Sequence, residues 1–458
     1  MNLHTSARTD ILGKVHFIGV GGVGMSAVAR IMVARGVPVS GSDAKDLPVM
    51  ADLAAAGARI AVGYAAENLE DAQTVVAGSA IRDDNPELVA ARQGGLPVLH
   101  RSQALAATMG DDAVVTVAGT HGKSTTTSMI TVLLRAAGLD PSFAVGANIP
   151  ALGVNAAHGT SGIFVAEADE SDGSFLNYRP RIAVVTNVEP DHLDYYGTAE
   201  AVYESFDRFT ALLPADGLLV ACADDAGALA LAERTKARGA TRVVLYGTSE
   251  AADVRLLDDG PGRVAVATPA AQFPLALQVP GRHNALNAAA AFAVALELGV
   301  EPAAAAAGLA SFSGASRRFE LKGTARGVRV FDDYAHHPTE VRAALAAARS
   351  VAGDHKVHVL FQPHLFSRTR EFAAEFADAL NLADTALVLD IYPAREDPIP
   401  GVSSQLIADH LTGGGRLVAA DDAVATLVAA AGEGDVVLTV GAGDVTAYGP
   451  RIVEALHA

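Results

Sequence analysis

The chain has 458 residues, half of them hydrophobic, which is material for about three domains with cores of their own. Its formal charge is −18, from 34 basic and 52 acidic residues, and so acidic a surface repels nucleic acid and anionic lipid. Neither is expected as a partner, and a phosphate-bearing ligand must be held by local Arg, Lys, Mg²⁺ or backbone N–H groups.

Residues 1–14 show no basic region followed by an apolar stretch, so no secretion leader is expected and the chain reads as cytoplasmic. A strand over 14–18 then runs into Gly19-Val20-Gly21-Gly22-Val23-Gly24 and a helix over 23–35. This G-x-G-x-x-G follows a strand and opens a helix, so its backbone can approach a pyrophosphate near free helix N–H groups. Asp43, about 20 residues on, stands where an acid usually meets a ribose hydroxyl. The motif suits a nicotinamide or flavin dinucleotide, a nucleotide-sugar diphosphate, or a tight turn with no ligand. Further strands are predicted at 37–40, 75–77 and 97–99, with a boundary near 110–112.

A second unit opens with a strand over 113–118 and the turn Gly119-Thr120-His121-Gly122-Lys123-Ser124-Thr125, which starts a helix reaching Arg135. Backbone N–H groups there would cradle phosphates, Lys123 would reach the β- and γ-phosphates, and a neighbouring hydroxyl would ligate Mg²⁺. The general pattern asks for Gly where Val117 stands. Strands at 163–166 and 182–186 are each followed by acids, Glu167 to Asp172 in one case and Glu189 to Asp194, with His192, in the other. Either run alone also describes a solvated loop; two such runs beside a phosphate loop suit a Mg²⁺ site. Cys222, in the apolar strand over 218–222, reads as a small core residue, and no intrachain disulfide is possible. Alternation over 254–279 predicts a small antiparallel excursion, a helix follows over 285–298, and the longest apolar run, 288–296 within it, is too short to span a membrane. Asn284 and Asn287 near the start of that helix are a helix cap or an adenine-binding pair. The next linker is expected at 311–316.

The third unit alternates cleanly, with strands at 328–331, 357–361, 386–389, 417–419 and 436–440. The fold class expected is α/β: a Rossmann-like domain over 1–111, a central P-loop ATPase domain with a mostly parallel sheet over 112–314, and a Rossmann-like domain over 315–458. In such sheets ligands bind at the carboxyl ends of strands.

Taken together, Gly-Thr-His-Gly-Lys at 119–123, the acidic runs, Gly-Arg-His-Asn-Ala-Leu-Asn at 281–287, Ser-Arg-Arg-Phe-Glu at 316–320, Asp-Asp-Tyr-Ala-His-His-Pro at 332–338 and Phe-Gln-Pro-His at 361–364 resemble the Mur ligase family over essentially the whole chain. The resemblance, narrowed by 19–26, implies ATP-dependent coupling of L-alanine to UDP-N-acetylmuramate in peptidoglycan precursor synthesis, by a monomer or homodimer. It implies that Lys123, Glu167, His192 and Arg318 are catalytic, and that Ser124, Glu167 and His192 hold the metal. ATP would be held by 119–125 with Asn284, Asn287, Arg318, Asp333 and His336. The UDP-sugar would meet Gly19, Gly21, Gly22, Gly24, Asp43, Ser79, His100, Arg101 and His121, and L-alanine would meet His364 and Arg368.

Two departures and three rivals go with it. The family usually has Thr where Ser124 stands, and some members carry a basic residue in place of Leu365. Sister ligases for later amino acids carry a carbamylated lysine on a helix that here, over 203–210, has none, as in the alanine ligases. The rivals are a nicotinamide-dependent oxidoreductase, a non-catalytic nucleotide sensor, and the ligase that recycles a tripeptide onto the same sugar.

Overall fold

In the computed structural model, which describes residues 12–239, 241–260, 263–394, 396–413 and 415–457, strands and helices alternate along the chain. The leader-free reading of the N-terminus falls mostly on 1–11 and lies there outside the described residues, as does the side chain of Asp194. Among the described residues, no helix is long and apolar enough to cross a membrane.

The first sheet contains β1 (Val15–Ile18), β2 (Val39–Asp43), β3 (Arg59–Val62), β4 (Thr74–Ala77) and β5 (Val98–His100), ordered β3-β2-β1-β4-β5 with every pairing parallel. The helical returns run through α1 (Val23–Ala34), α2 (Pro48–Ala55) and α3 (Pro86–Gln93), and α4 (Arg101–Met109) leads on to the second sheet. Parallel strands need such crossovers, and β1 is buried along its whole length. Strand order reverses between β1 and β4, which opens a crevice at their carboxyl ends. Gly19 follows β1, Asp43 ends β2, and Ser79 follows β4, so all three stand at that end.

The second sheet is ordered β15-β14-β13-β12-β11-β10-β6-β9-β7-β8. Its strands are β6 (Ala113–Ala118), β7 (Ser142–Ile149), β8 (Val154–Ala157), β9 (Ile163–Glu167), β10 (Ile182–Val185), β11 (Leu218–Cys222), β12 (Arg242–Gly247), β13 (Val254–Asp258), β14 (Val264–Ala267) and β15 (Gln272–Leu275). From β7 through β13 all pairings are parallel; β7–β8, β13–β14 and β14–β15 are antiparallel. The predicted excursion over 254–279 is thus the hairpin series β13 to β15. Between the strands lie α5 (Lys123–Ala136), α6 (Leu193–Tyr196), α7 (Ala199–Thr210) and α8 (Ala226–Arg238), followed by α9 (Arg282–Glu297) and α10 (Pro302–Leu309). The central strand β6 has β9 on one side and β10 on the other, so the phosphate loop and both acidic runs leave the sheet side by side.

The third sheet is ordered β16-β17-β21-β18-β19-β20. It comprises β16 (Glu320–Ala325), β17 (Val328–Asp333), β18 (Val357–Phe361), β19 (Thr385–Val388), β20 (Arg416–Leu417) and β21 (Val436–Val440). Only β16–β17 is antiparallel, and α11 (Pro338–Ala352), α12 (Phe366–Leu380), α13 (Gln405–Ala408), α14 (Ala423–Ala430) and α15 (Tyr448–His457) cover it. Two buried apolar clusters, one including Val341, Phe361 and Phe376 and the other Val330, Leu427 and Ile452, form its cores.

By packing, the described residues up to Ala276 group with Leu286–Phe312 as one unit, and Leu277–Ala285 group with the described residues from Ser313 onward as another. The first two sheets thus share a unit, and the third sheet has its own. Cys222 is buried on β11, where burial pushes its thiol up to about 11, so it is a core residue.

Candidate active site

The phosphate loop turns sharply between β6 and α5. Gly119 has φ +137°, and a β-carbon there would lie 2.1 Å from Thr186 Oγ1, so no larger residue fits. The loop is tied to the end of β10: His121 N donates to Asn187 Oδ1 at 2.7 Å, and Thr186 Oγ1 donates to the His121 carbonyl at 2.5 Å. Lys123 Nζ curls back to the carbonyls of Gly119 and Thr120, at 2.7 and 3.0 Å, and to Glu170 Oε1 at 2.9 Å. Ser124 Oγ donates to Glu167 Oε1 at 2.9 Å, and Glu167 Oε2 accepts from Gly146 N at 2.6 Å. Thr125 is buried in the first turn of α5, and the Asn287 amide sits against Gly122.

Glu170 was not singled out in the sequence, yet it is the hub. It is 2% exposed and faces Lys123, while His192 Nε2 lies 3.8 Å from its Oε1 and 3.6 Å from Asp191 Oδ2. Burial pushes the Glu170 carboxyl up to about 7 against the pull of Lys123. Burial alone would lower the Lys123 pKa, but Glu170, Asp169 and Glu167 outweigh it and hold the amine above its ordinary value. His192 has φ +55°, an uncommon left-handed backbone for a non-glycine residue, and such residues concentrate at functional sites. His121 points its Nε2 toward Glu189 Oε2, 3.5 Å away. Lys123 and His192 therefore meet at Glu170, while the neighbouring Ser124 bonds Glu167.

The Gly-rich turn lies in the same unit. Gly19 N and Val20 N donate to the Ser42 carbonyl at 2.8 Å, and Gly21 N donates to Asp43 Oδ2 at 3.0 Å. Asp43 thus braces the turn itself. Gly22 caps the start of α1, and Arg101, at the start of α4, reaches the first turn of α1 near Gly24. Ser79 Oγ lies 3.1 Å from both His100 Nε2 and Asp172 Oδ2, and Arg101 Nη2 lies 3.5 Å from Asp169 Oδ2. Asp169 and Asp172 were read only as parts of an acidic run; their reach to the first sheet carries no sequence signal.

In the second unit, Arg318 stacks over the Tyr334 ring at 5.1 Å, as does Arg317 at 4.8 Å. Asp333 accepts from Phe319 N and Ala335 N, both at 2.8 Å, and burial pushes its carboxyl up to about 6 against Arg318. His336 Nδ1 lies 3.2 Å from Glu340 Oε2, and its ring meets His364 edge-on at 5.9 Å. His364 stacks on Tyr392, also at 5.9 Å, and Arg368 is buried in the first turn of α12. Arg318, Asp333, His336 and His364 are thus neighbours, linked by Tyr334, Glu340 and Tyr392, which the sequence did not flag. Asn284 is buried and donates to the Pro280 carbonyl at 2.6 Å, which makes it a brace at the start of α9.

Comparisons with known proteins place the chain in a family. The Mur ligase family catalytic domain matches residues 14–112, the Mur ligase middle domain 117–295, and the Mur ligase glutamate ligase domain 317–443. The chain is 80% identical to a UDP-N-acetylmuramate–L-alanine ligase of Arthrobacter sp. (strain FB24), over 99% of this chain and 98% of that one. It is 65% identical to the ligase of the same name from Renibacterium salmoninarum, over 98% and 97% of the two chains. The crystal structure of UDP-N-acetylmuramate-alanine ligase from Thermotoga maritima is similar with a TM-score of 0.78 and 30% identity, covering 96% of this chain and 98% of that one. A murein peptide ligase from Psychrobacter arcticus follows at TM-score 0.71 and 27% identity, covering 97% and 99%.

Proposed function

The chain belongs to the Mur ligase family, and from that premise we infer that it joins L-alanine to the lactyl carboxylate of UDP-N-acetylmuramate, converting ATP to ADP and phosphate. The observation that carries this reading is the acidic segment 167–172, which bonds the phosphate loop through Glu167 and Glu170 and the first-sheet crevice through Asp169 and Asp172. On this reading ATP and the diphosphate sugar would lie on either side of that segment, as a reaction between them requires.

The loop amides and Lys123 hold the ATP phosphates. Ser124 Oγ, Glu167 and the His192–Asp191 pair offer the oxygen-rich donor set that Mg²⁺ prefers, so Ser124, Glu167 and His192 would hold it. Bound there, Mg²⁺ supplies charge neutralisation for the phosphates. A lactyl carboxylate oxygen attacks the γ-phosphorus and ADP leaves, giving an acyl phosphate. The neutral amine of L-alanine then attacks the acyl carbon, loses a proton, and expels phosphate. Such transfer asks mainly for alignment and charge neutralisation, which Lys123 provides. Asn287 serves the adenine, Asp333 and His336 the nucleotide, and His364 and Arg368 the alanine carboxylate, while Asn284 holds the start of α9.

Carboxylate-labelled sugar tests the sequence of bonds. With ¹⁸O in the lactyl carboxylate, one labelled oxygen must appear in the released phosphate. Phosphate free of label would refute the acyl phosphate. The relationship to the murein peptide ligase keeps the tripeptide as the competing amino substrate.

A further inference from the structure

Ser79, His100 and Arg101 stand together near the start of α1; in this structure Arg101 faces Asp169, and Ser79 and His100 lead to Asp172. The Arg101 guanidinium lies so close over the first turn of α1 that a β-carbon at Gly24 would fall 2.1 Å from its Nη1, and its Nη2 lies 3.5 Å from Asp169 Oδ2. His100 Nδ1 accepts from Ser102 N, which leaves the ring proton on Nε2. Nε2 then donates to Ser79 Oγ at 3.1 Å, and Ser79 Oγ donates to Asp172 Oδ2 at 3.1 Å. The relay ends on a carboxylate.

A helix N-terminus with an arginine and a hydroxyl aimed into it attracts anions, and a diphosphate bound there needs these same donors. Asp169 and Asp172 compete for them. Both belong to the segment whose Glu167 and Glu170 bond Ser124 and Lys123, so one segment touches the phosphate loop and the sugar side alike.

Resting on the reading that this crevice takes UDP-N-acetylmuramate, we propose that Asp169 and Asp172 are positioning residues that occupy Arg101, Ser79 and His100 until the sugar diphosphate displaces them, and so couple the sugar crevice to the ATP loop. Two discrete sets of partners for one segment give the coupling a physical carrier, and linkage makes it reciprocal.

The test uses Asp169→Asn and Asp172→Asn in the full chain. Asparagine keeps the Oδ1 acceptor for Ser171 N at 3.1 Å and for Ser174 N at 3.0 Å, so the turn survives while the charge goes. Calorimetric titration with UDP-N-acetylmuramate, without nucleotide, should show each variant binding roughly two- to five-fold tighter than the parent, since partly exposed pairs are modest competitors. A non-hydrolysable ATP analogue with Mg²⁺ should change sugar affinity in the parent and change it by a smaller factor in the double variant. Thermal unfolding of the Asn variants should match the parent, whereas Asp172→Ala, which loses the turn acceptor, should unfold earlier. Unchanged or weaker sugar binding by both Asn variants, or an undiminished nucleotide effect in the double variant, overturns the proposal. A parent that does not bind the sugar at all overturns the proposed function, and this inference with it.

Discussion

Replacing Glu170 with Gln should change how stability depends on pH. The carboxyl is 2% exposed, and burial pushes it up to about 7 from an ordinary value of 4.5 in the unfolded chain. A folded pKa above the unfolded one means the folded state binds more protons between the two values. The stability from this group is therefore full below about pH 4.5 and is lost as pH rises through about 7. That span is about 2.5 units at about 1.4 kcal/mol each, so the loss reaches about 3.5 kcal/mol. Gln cannot ionise and does not incur it. Removing the partner of Lys123, only 2.9 Å away, adds a cost that varies little over this range, because the amine titrates far higher. Urea denaturation of E170Q and the parent, in steps from about pH 5 to 8, should show the variant gaining on the parent by up to about 3 kcal/mol. A difference that stays constant with pH, or that moves toward the parent as pH rises, would refute the reasoning.

Other expectations are more direct. Lys123→Ala should lower kcat by about a hundred- to a thousand-fold, as loss of one charge-stabilising donor does, while UDP-N-acetylmuramate still binds; a loss below tenfold in phosphate release sinks the assignment. Ser124→Thr should keep activity, whereas Ser124→Ala should raise the Mg²⁺ concentration needed for half-maximal rate; equal Mg²⁺ titrations would contradict it. Gly24→Ala must push Arg101 aside, since the new carbon would meet Nη1 at 2.1 Å, so the KM for the sugar should rise at least about tenfold with the KM for ATP unchanged. Asp332→Asn, in the second unit, halves the acceptors offered to Arg317, Thr439 and Thr446 at a fully buried site and should cost about 2–4 kcal/mol in denaturant unfolding.

The sequence carried the parallel sheets because their strands are buried apolar runs set between amphipathic helices. It missed β3, β7, β8, β12 and β16, and for β3, β7, β8 and β16 the reason is physical. The edge strand β3 is largely exposed, so it shows no apolar pattern. Irregular pairing with β8 interrupts β7 between Ala144 and Ile149, and β16 carries a similar break before Gly323. Helix α10 was hidden by its Ala-rich stretch, which has no periodicity to read. At the site, Lys123, Ser124 and Glu167 were legible because a strand–turn–helix fixes where they stand. Glu170 was hidden among equal acids, and only the fold shows which carboxylate turns inward to the lysine. Tyr392 could not be found at all from the sequence, because it meets His364 through the parallel bridge between their strands' extensions.

Phosphate release from purified protein with ATP, Mg²⁺ and UDP-N-acetylmuramate, with L-alanine, glycine, L-serine or the recycled tripeptide added in turn, tests the central claim most directly. Release that requires the sugar and is fastest with L-alanine is the predicted result. Release supported by the tripeptide alone would make the chain a recycling ligase, and no release with any amino substrate would contradict the proposed function.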